Sequence, residues 1–220
     1  MYKAYVFDLD GTVADTINTI AYYVNETMKK HNLKTFEIED YNYFVGEGAS
    51  LLIERALRAQ DKFEENLHRE LLKEYLESYN KKPLYLTKLY DGMAETLKEL
   101  KAKGMKLGVF SNKPQSSVDL VIDAFFEKDF FDAVSGQKEG FPRKPDPAVL
   151  LDMLKNFGVE PKECVYVGDT STDMQTGKNA ECFTVGVLWG FRERAELEEN
   201  NADLIISSPS ELEMILKNKE

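Results

Sequence analysis

The second half of the chain alternates between short apolar runs and amphipathic helical segments, and no other feature restricts the fold as strongly. Runs such as 106–111 and 164–168 are rich in apolar and β-branched residues and end at a serine or a glycine. Between such runs, apolar residues recur every three or four positions, which predicts helices with one buried face. Strands that alternate with helices in this way form parallel sheets covered on both faces. The sequence therefore predicts an α/β fold with a doubly wound parallel sheet.

One more strand is predicted near the start of the chain, where the run Ala4–Phe7 is apolar throughout. The segment 15–87 follows it and contains no convincing strand. We interpret this segment as a helical insert that interrupts the sheet after its first strand. The predicted organisation is an α/β core domain of residues 1–14 and 88–220 and a helical domain of residues 15–87. Two chain crossings between the domains would form a natural hinge.

Within the insert, three stretches carry apolar residues at helical spacing. They are 17–28, 52–57 and 63–79. The stretch 35–40 is predicted as a loop, and 43–48 is predicted as a glycine-containing turn.

Composition restricts the classes of partner. The chain of 220 residues has a formal net charge of −11, which argues against binding to nucleic acid or to anionic membranes. It contains no apolar run near the ~20 residues that span a bilayer, and we expect no signal peptide. Cys164 and Cys182 are interpreted as buried structural thiols in a reduced, cytoplasmic protein. His31 and His68 are predicted at the surface, without a chemical role.

Polar side chains gather where predicted strands end or predicted helices begin. These residues are Asp8, Asp10, Ser111, Asn112, Lys144, Asp169 and Asp173. In a parallel sheet the carboxyl ends of the strands share one edge, where ligands bind. Carboxylates suit a hard divalent cation such as Mg²⁺, whereas a hydroxyl, backbone N–H groups and a lysine suit a phosphoryl group. Together they are the groups that phosphoryl transfer requires.

Each group also has a plainer interpretation when it is taken alone. Asp8–Thr12 could be an aspartate-rich turn, and Ser111 with Asn112 could be ordinary turn residues. Lys144 could be a solvated cation in a loop. The stretch 168–173 could be a helix N-cap with acids that complement the helix dipole. These four groups of residues follow one another in a fixed order and share a place at the ends of strands or the starts of helices, which favours a functional site.

The four motifs resemble those of the haloacid dehalogenase superfamily of aspartate-nucleophile phosphatases. In this chain they read Asp8-Leu9-Asp10-Gly11-Thr12, Val109-Phe110-Ser111-Asn112-Lys113, Lys144-Pro145-Asp146-Pro147 and Gly168-Asp169-Thr170-Ser171-Thr172-Asp173. The resemblance covers essentially the whole chain and implies a Rossmann-like core with a helical cap domain. Within the superfamily, the stretches 45–49 and 54–57 are most similar to the cap sequence of phosphoglycolate phosphatases.

The resemblance implies a role for each core residue. Asp8 would be the nucleophile that forms an aspartyl-phosphate, and Asp10 would be the general acid and base. Mg²⁺ would be held by Asp8, the backbone carbonyl of Asp10 and Asp169. The phosphate would be held by Ser111, the Asn112 N–H and Lys144. Asp173 would position Lys144 or stand just behind the direct ligands of the metal. A cap of this kind closes to exclude water and opens to release product.

The cap residues that the resemblance associates with substrate specificity are Gly46, Glu47, Gly48 and Arg55. The family usually has asparagine between the two glycines, where this chain has Glu47. A carboxylate there would repel a carboxylate-bearing substrate such as phosphoglycolate, unless a cation offsets it. The candidates for that cation are Arg55, Lys113, Arg143 and Arg192. A second departure, Asn179-Ala180-Glu181 in place of the usual Ala-Gly, is expected to affect packing only.

The leading functional hypothesis is a Mg²⁺-dependent phosphatase that acts on a small phosphorylated metabolite, as a monomer or a homodimer. A phosphomutase of the β-phosphoglucomutase type would share the same motifs, and a pyrophosphatase is a third candidate. A dehalogenase is disfavoured because its chemistry does not use the acid/base arrangement of Asp10-Gly11-Thr12. A non-catalytic binding module would be favoured if Asp8 or Lys144 were absent, and both are present.

Overall fold

A six-stranded parallel sheet forms the centre of the computed structural model, which describes residues 1–217. A separate two-stranded antiparallel ribbon pairs β2 with β3. The strands, in chain order, are β1 (Ala4–Phe7), β2 (Ala14–Asp15), β3 (Lys88–Leu89), β4 (Lys106–Pro114), β5 (Ala133–Gln137), β6 (Cys164–Gly168), β7 (Phe183–Val187) and β8 (Leu204–Ile206). The order across the large sheet is β5-β4-β1-β6-β7-β8.

The helices connect and cover these strands. They are α1 (Ile17–Lys30), α2 (Ile38–Phe44), α3 (Ala49–Arg58), α4 (Glu65–Lys81), α5 (Met93–Ala102), α6 (Gln115–Phe125), α7 (Ala148–Phe157), α8 (Ser171–Asn179), α9 (Arg194–Glu199) and α10 (Glu211–Lys217), with a short 3₁₀ turn at Pro161–Glu163. No helix within residues 1–217 is both long and apolar enough to cross a membrane.

The first strand lies in the middle of the sheet, and all four of its residues are buried. Since successive side chains of a strand point to opposite faces, Tyr5 and Phe7 pack with residues of α5, α6 and α10 in one apolar cluster. Ala4 and Val6 pack into a second cluster with residues of α7. Helices therefore cover both faces, which confirms the predicted doubly wound α/β sheet.

The register of the sheet brings three strand ends together. Phe7 of β1 is aligned with Val109 of β4 on one side and with Val167 of β6 on the other. The residues that follow in each strand therefore reach the same edge at the same level. Asp8 and Asp169 stand at this edge as a direct consequence of the alignment.

Helices α1 to α4 form a continuous helical segment with its own apolar cluster. Its buried members include Ile20, Val24, Leu52, Ile53 and Tyr75, and Phe191 from the loop after β7 joins them. The β2–β3 ribbon connects the two points at which the chain enters and leaves this segment. The division into residues 1–14 with 88–220 and residues 15–87 stays a prediction.

Three local expectations are wrong. Helix α2 occupies residues predicted as a loop and a turn, because Glu37 and Asp40 form a reciprocal capping box in place of the usual serine or threonine cap. Strand β4 continues past Ser111 to Pro114. His68 is buried rather than exposed, because its Nε2 donates a hydrogen bond to the Ser50 carbonyl at 2.8 Å.

The expectation for the two cysteines is confirmed. Cys164 and Cys182 are both free and buried, as predicted. The helix α7 begins with Pro147 at its N-cap, and the Asp146 carboxylate accepts a hydrogen bond from the Ala148 N–H at 2.9 Å.

Candidate active site

Lys144 lies at the centre of a buried ion cluster at the carboxyl edge of the sheet. Its Nζ is 2.8 Å from Asp8 Oδ1 and 2.7 Å from Asp173 Oδ1. The backbone N–H of Lys144 donates to Asn112 Oδ1 at 2.9 Å, which fixes the loop that carries it. Burial disfavours the ammonium, but Asp173 and Asp8 outweigh this cost and raise the pKa of Lys144. Lys144 is therefore a buried, charged member of the site and not a solvated loop cation.

Asp173 combines the two roles proposed for it from the sequence. Its Oδ2 accepts hydrogen bonds from the Thr170 N–H at 3.1 Å and the Thr170 hydroxyl at 2.7 Å, which completes a capping box at the start of α8. Its Oδ1 binds Lys144 and also accepts from the Tyr166 hydroxyl at 3.3 Å. The helix cap thus holds Asp173 in the position from which it orients Lys144.

Three buried carboxylates could hold a cation. Oxygen atoms of Asp8, Asp169 and Asp173 lie within 4.8 Å of one another. Asp169 accepts hydrogen bonds from the Thr12 hydroxyl at 3.0 Å and the Phe191 N–H at 2.9 Å. Lys144 alone does not balance three ionised carboxylates, and a buried charge without a counter-charge is costly. The donor set fits a hard divalent cation such as Mg²⁺.

Two of these acids have pKa values above that of an exposed carboxyl. Burial raises the pKa of Asp8 to about 7, although Lys144 opposes the shift. Burial, followed by the charges of Asp173 and Asp8, raises the pKa of Asp169. A cation bound between the carboxylates would stabilise their ionised forms and reverse these shifts.

Gly11 allows the loop after β1 to approach Asp169. Its φ is +86°, which favours glycine, and a Cβ at this position would lie 2.3 Å from Asp169 Oδ2. The turn interpretation of the Asp8–Thr12 stretch is therefore correct as geometry, and the turn brings this stretch against the carboxylate cluster.

The carboxylate of Asp10 points away from that cluster toward Lys113. Lys113 Nζ donates to both Asp10 oxygens, at 3.0 and 3.1 Å, and the Thr16 hydroxyl donates to Oδ1 at 2.7 Å. Burial opposes the charge on Lys113, but Asp10 outweighs it and raises the pKa of Lys113. The ammonium also lies 4.4 Å from the centre of the Tyr79 ring. The sequence offered Lys113 only as a partner for Glu47, so its pairing with Asp10 was missed.

A pocket that is partly open to solvent lies between the sheet edge and the helical segment, and its empty space, including that open part, is about 510 Å³. The sheet side contributes polar and charged groups, and the helical side contributes mostly apolar and aromatic groups. The lining residues include Asp8, Asp10, Ser111, Asn112 and Lys113 on the sheet side and Ile20, Gly46, Gly48, Leu52, Tyr75 and Tyr79 on the helical side.

Ser111 and Asn112 are buried at the floor of this pocket. The Ser111 hydroxyl oxygen accepts a hydrogen bond from the Lys113 N–H at 3.3 Å, and Asn112 Nδ2 donates to the Gly46 carbonyl at 3.2 Å. Asn112 therefore connects the Lys144 loop of the core to the helical segment.

Glu47 and Arg55 form an ion pair with each other. Among the described residues that line the pocket, neither of the two appears, whereas their neighbours Gly46 and Gly48 do. Of the four cations considered for Glu47, Arg55 is thus its partner, while Lys113 binds Asp10 and Arg192 lies 3.1 Å from Glu196. The specificity role suggested for Glu47 stays a prediction.

A parallel α/β sheet with these acids, a lysine and a hydroxyl at its carboxyl edge is the architecture of the haloacid dehalogenase-like hydrolases. The sequence model of that family matches residues 5–187. The chain belongs to this family, as its four motifs indicated.

More particular likenesses lie within the family. The chain is 33% identical over 216 residues to the phosphoglycolate phosphatase of Aquifex aeolicus (strain VF5), a match that covers 98% of this chain and 97% of the relative. It superimposes with a TM-score of 0.92 on a crystal structure described as a predicted phosphoglycolate phosphatase from Haemophilus somnus 129PT, at 27% identity and 98% coverage of both chains. A β-phosphoglucomutase from Clostridium difficile, at 22% identity and a TM-score of 0.81 over 99% of this chain and 96% of that one, shares the fold.

Proposed function

We propose that the protein is a Mg²⁺-dependent phosphatase that hydrolyses a small phosphorylated metabolite through an aspartyl-phosphate on Asp8. One observation carries the proposal: Asp8 lines the pocket while Lys144, 2.8 Å from its Oδ1, supplies a buried positive charge. The relatives named phosphoglycolate phosphatase support the reaction class and make phosphoglycolate the first substrate to test.

In the first step, a carboxylate oxygen of Asp8 attacks phosphorus, and the bond from phosphorus to the leaving alcohol breaks. Asp10 donates the proton that the departing alkoxide requires. Ser111, the Asn112 N–H and Lys144 hold the phosphate oxygens. Lys144 also offsets the repulsion between the Asp8 carboxylate and the phosphate dianion, which is the main electrostatic obstacle to attack.

The second step hydrolyses the acyl phosphate on Asp8. Asp10 takes a proton from the attacking water, and Asp8 leaves as a carboxylate. Lys113 keeps the Asp10 carboxylate against the pocket wall in this structure, with two contacts near 3 Å. Closure of α1 to α4 over the pocket would exclude bulk water between the two steps.

The metal site would comprise Asp8, the backbone carbonyl of Asp10 and Asp169, with Asp173 positioning Lys144. When bound, Mg²⁺ would neutralise charge on the phosphoryl oxygens. The Asp10 carboxylate is directed to Lys113, so only its backbone carbonyl is left for this role.

The pocket also bears on the substrate. Lys113 is the one lysine or arginine among the lining residues in the part of the chain that the structure describes. A substrate carboxylate, such as that of phosphoglycolate, would find its counter-charge there. The helical side of the pocket is mostly apolar and aromatic, which favours a small leaving group with few charges.

The test is phosphate release from a panel of phosphoglycolate, sugar phosphates and pyrophosphate, with and without Mg²⁺. We expect release from a small phosphomonoester, its loss with EDTA and its return with excess Mg²⁺. Turnover that persists in EDTA after removal of tightly bound metal would contradict the metal site. Conversion of glucose 1-phosphate to glucose 6-phosphate without phosphate release would favour a mutase, and selective release from pyrophosphate would favour a pyrophosphatase.

A further inference from the structure

The loop after β7 contacts both the carboxylate cluster and the helical segment. Its residues Gly190, Phe191 and Arg192 are consecutive, and we refer to them as the clasp. None of the three belongs to the four motifs or to the groups assigned above to the chemistry. Their contacts nevertheless join the two sides of the pocket.

One end of the clasp orients Asp169. The Phe191 N–H donates to Asp169 Oδ2 at 2.9 Å. At Gly190, a Cβ would lie 2.3 Å from Asp169 Cβ and 2.5 Å from the Gly11 carbonyl oxygen. The backbone of the clasp therefore lies directly against Asp169, and a displacement of this backbone would displace the carboxylate or break its hydrogen bond.

The Phe191 side chain contacts the other side of the pocket, the helical segment. It is buried in the apolar cluster of the helical segment, with residues such as Ile20 and Leu52. The backbone and the side chain of one residue thus contact the carboxylate site and the helical core. A motion that withdraws α1 to α4 would expose the Phe191 ring unless the loop followed.

Arg192 adds a polar link to the same helical segment. Its Nη2 donates to the Val45 carbonyl at 3.1 Å, and its guanidinium lies 5.3 Å from the centre of the Tyr43 ring. Asn112 donates to the next carbonyl, that of Gly46. The core therefore holds two successive carbonyls at the end of α2, beside the pocket.

Glu196 anchors the arginine from the core side. Glu196 Oε2 is 3.1 Å from Arg192 Nε, and its Oε1 accepts a hydrogen bond from the Ser171 N–H at 2.9 Å. Ser171 begins α8, whose cap holds Asp173. Arg192 is thus linked to the start of α8, which also orients Asp173, the partner of Lys144.

We propose that the clasp is a positioning element that couples the placement of α1 to α4 to the orientation of Asp169, so that closure of the pocket strengthens the divalent-cation site. The proposal rests on the proposed function, because it takes Asp169 as a metal ligand. Groups that orient metal ligands typically change metal affinity by about 10- to 100-fold when they are removed. Affinity and closure are reciprocal in such a coupling.

The variant Arg192→Met removes the hydrogen bond to Val45 and keeps an unbranched side chain. Its matched control is Arg194→Met, which removes an exposed arginine that pairs with Glu198 at 3.3 Å, also four residues on. Phe191→Leu keeps an apolar side chain, and Phe191→Ala removes the ring. Arg192→Lys keeps a donor and should restore part of the effect. Circular dichroism and thermal unfolding identify any variant that fails to fold, and Phe191→Leu with Arg192→Met keeps the test available if Phe191→Ala is lost.

The first measurement is Mg²⁺ affinity by isothermal titration calorimetry, without substrate. We expect Mg²⁺ binding to weaken by about 10-fold in Arg192→Met and Phe191→Ala, by less in Arg192→Lys and Phe191→Leu, and to be unchanged in Arg194→Met. The second is hydrogen exchange of the peptide that covers residues 41–48. Mg²⁺ should slow exchange there in the wild type and in Arg194→Met, but not in Arg192→Met.

The proposed coupling would be overturned if folded Arg192→Met and Phe191→Ala bind Mg²⁺ with wild-type affinity and keep the Mg²⁺-dependent protection. That result would leave the proposed function standing. A wild-type protein that binds no Mg²⁺ would overturn the metal assignment and the clasp with it. The lone tryptophan of the sequence, Trp189, adjoins the clasp and donates to the Thr12 carbonyl at 2.9 Å. Its fluorescence offers an independent titration of the same site.

Discussion

The two walls of the pocket differ in how their groups are held. On the sheet wall, Lys144 binds two acids within 2.8 Å, and strand register sets the level at which the side chains emerge. On the helical wall, Tyr75 and Leu52 belong to an apolar cluster. Two backbone carbonyls beside them, those of Val45 and Gly46, accept hydrogen bonds from side chains of the core. The proposed function assigns the reaction chemistry to the sheet edge and the choice of leaving group to the helical wall.

The sequence predicted the sheet wall more fully than the helical wall. Apolar runs such as Ala4–Phe7 indicate strands from local sequence alone. The alternation of strands with helices predicts a parallel sheet, in which the polar residues at the strand ends converge. Asp8 and Asp169 could therefore be placed together although they lie far apart in the sequence. The pairing of Lys113 with Asp10 was missed because the two residues are 103 positions apart in the sequence, and no local pattern indicates such a pairing.

The helical wall depends on packing between helices, which periodicity does not specify. The helix α2 was missed because an uncommon Glu-Asp capping box begins it. Glu47 forms an ion pair with Arg55, one of the four cations that the sequence offered for it, and its role in specificity stays a prediction. The clasp carries no motif from which it could have been recognised, since its hydrogen bond to Asp169 comes from the backbone of Phe191.

The largest effect is expected at the nucleophile on the sheet wall. Asp8→Asn should lower kcat by at least about 10⁴-fold, because an amide does not attack phosphorus. Far-ultraviolet circular dichroism should show an intact fold. Asp152→Asn, an exposed change on α7, is the control and should keep wild-type turnover. Substantial activity in Asp8→Asn would remove Asp8 from its role.

The buried pair at Asp10 should dominate stability. Lys113→Met leaves Asp10 without its counter-charge and should lower the free energy of unfolding by roughly 3 kcal/mol. The double variant with Asp10→Asn should recover part of this loss, because no unpaired charge remains. Lys106→Met breaks the more exposed pair with Asp132 and should cost less than about 1 kcal/mol. Equal losses in the two single variants, measured by urea denaturation, would contradict the burial argument.

A smaller effect is expected at the helical wall. Glu47→Asn removes a negative charge and releases Arg55, so it should raise kcat/KM for phosphoglycolate by roughly threefold, as expected for partly screened charges. Ethyl phosphate, which lacks a carboxylate, should be unaffected. Glu54→Gln breaks the neighbouring Glu54–Arg58 pair and should leave kcat/KM unchanged for both substrates. An identical response of both substrates to Glu47→Asn would exclude an electrostatic role in selectivity.

The smallest effect lies outside both walls. Glu181 follows α8 with a φ of +59°, the position at which glycine commonly ends a helix. Glu181→Gly should raise the free energy of unfolding by about 0.5 to 1 kcal/mol, measured by thermal or urea denaturation. Activity should not change. Destabilisation instead would show that contacts of the Glu181 side chain outweigh its backbone strain.

The most direct measurement is to trap the covalent intermediate on Asp8. The Asp10→Asn variant, in which the second step should be slow, is mixed with phosphoglycolate and Mg²⁺, and then reduced with borohydride. Reduction converts an aspartyl-phosphate to homoserine, which peptide mass spectrometry locates in the sequence. We predict homoserine at position 8, dependent on substrate and Mg²⁺. Phosphate release by the wild type, with position 8 still unmodified in every trapping condition, would contradict the mechanism.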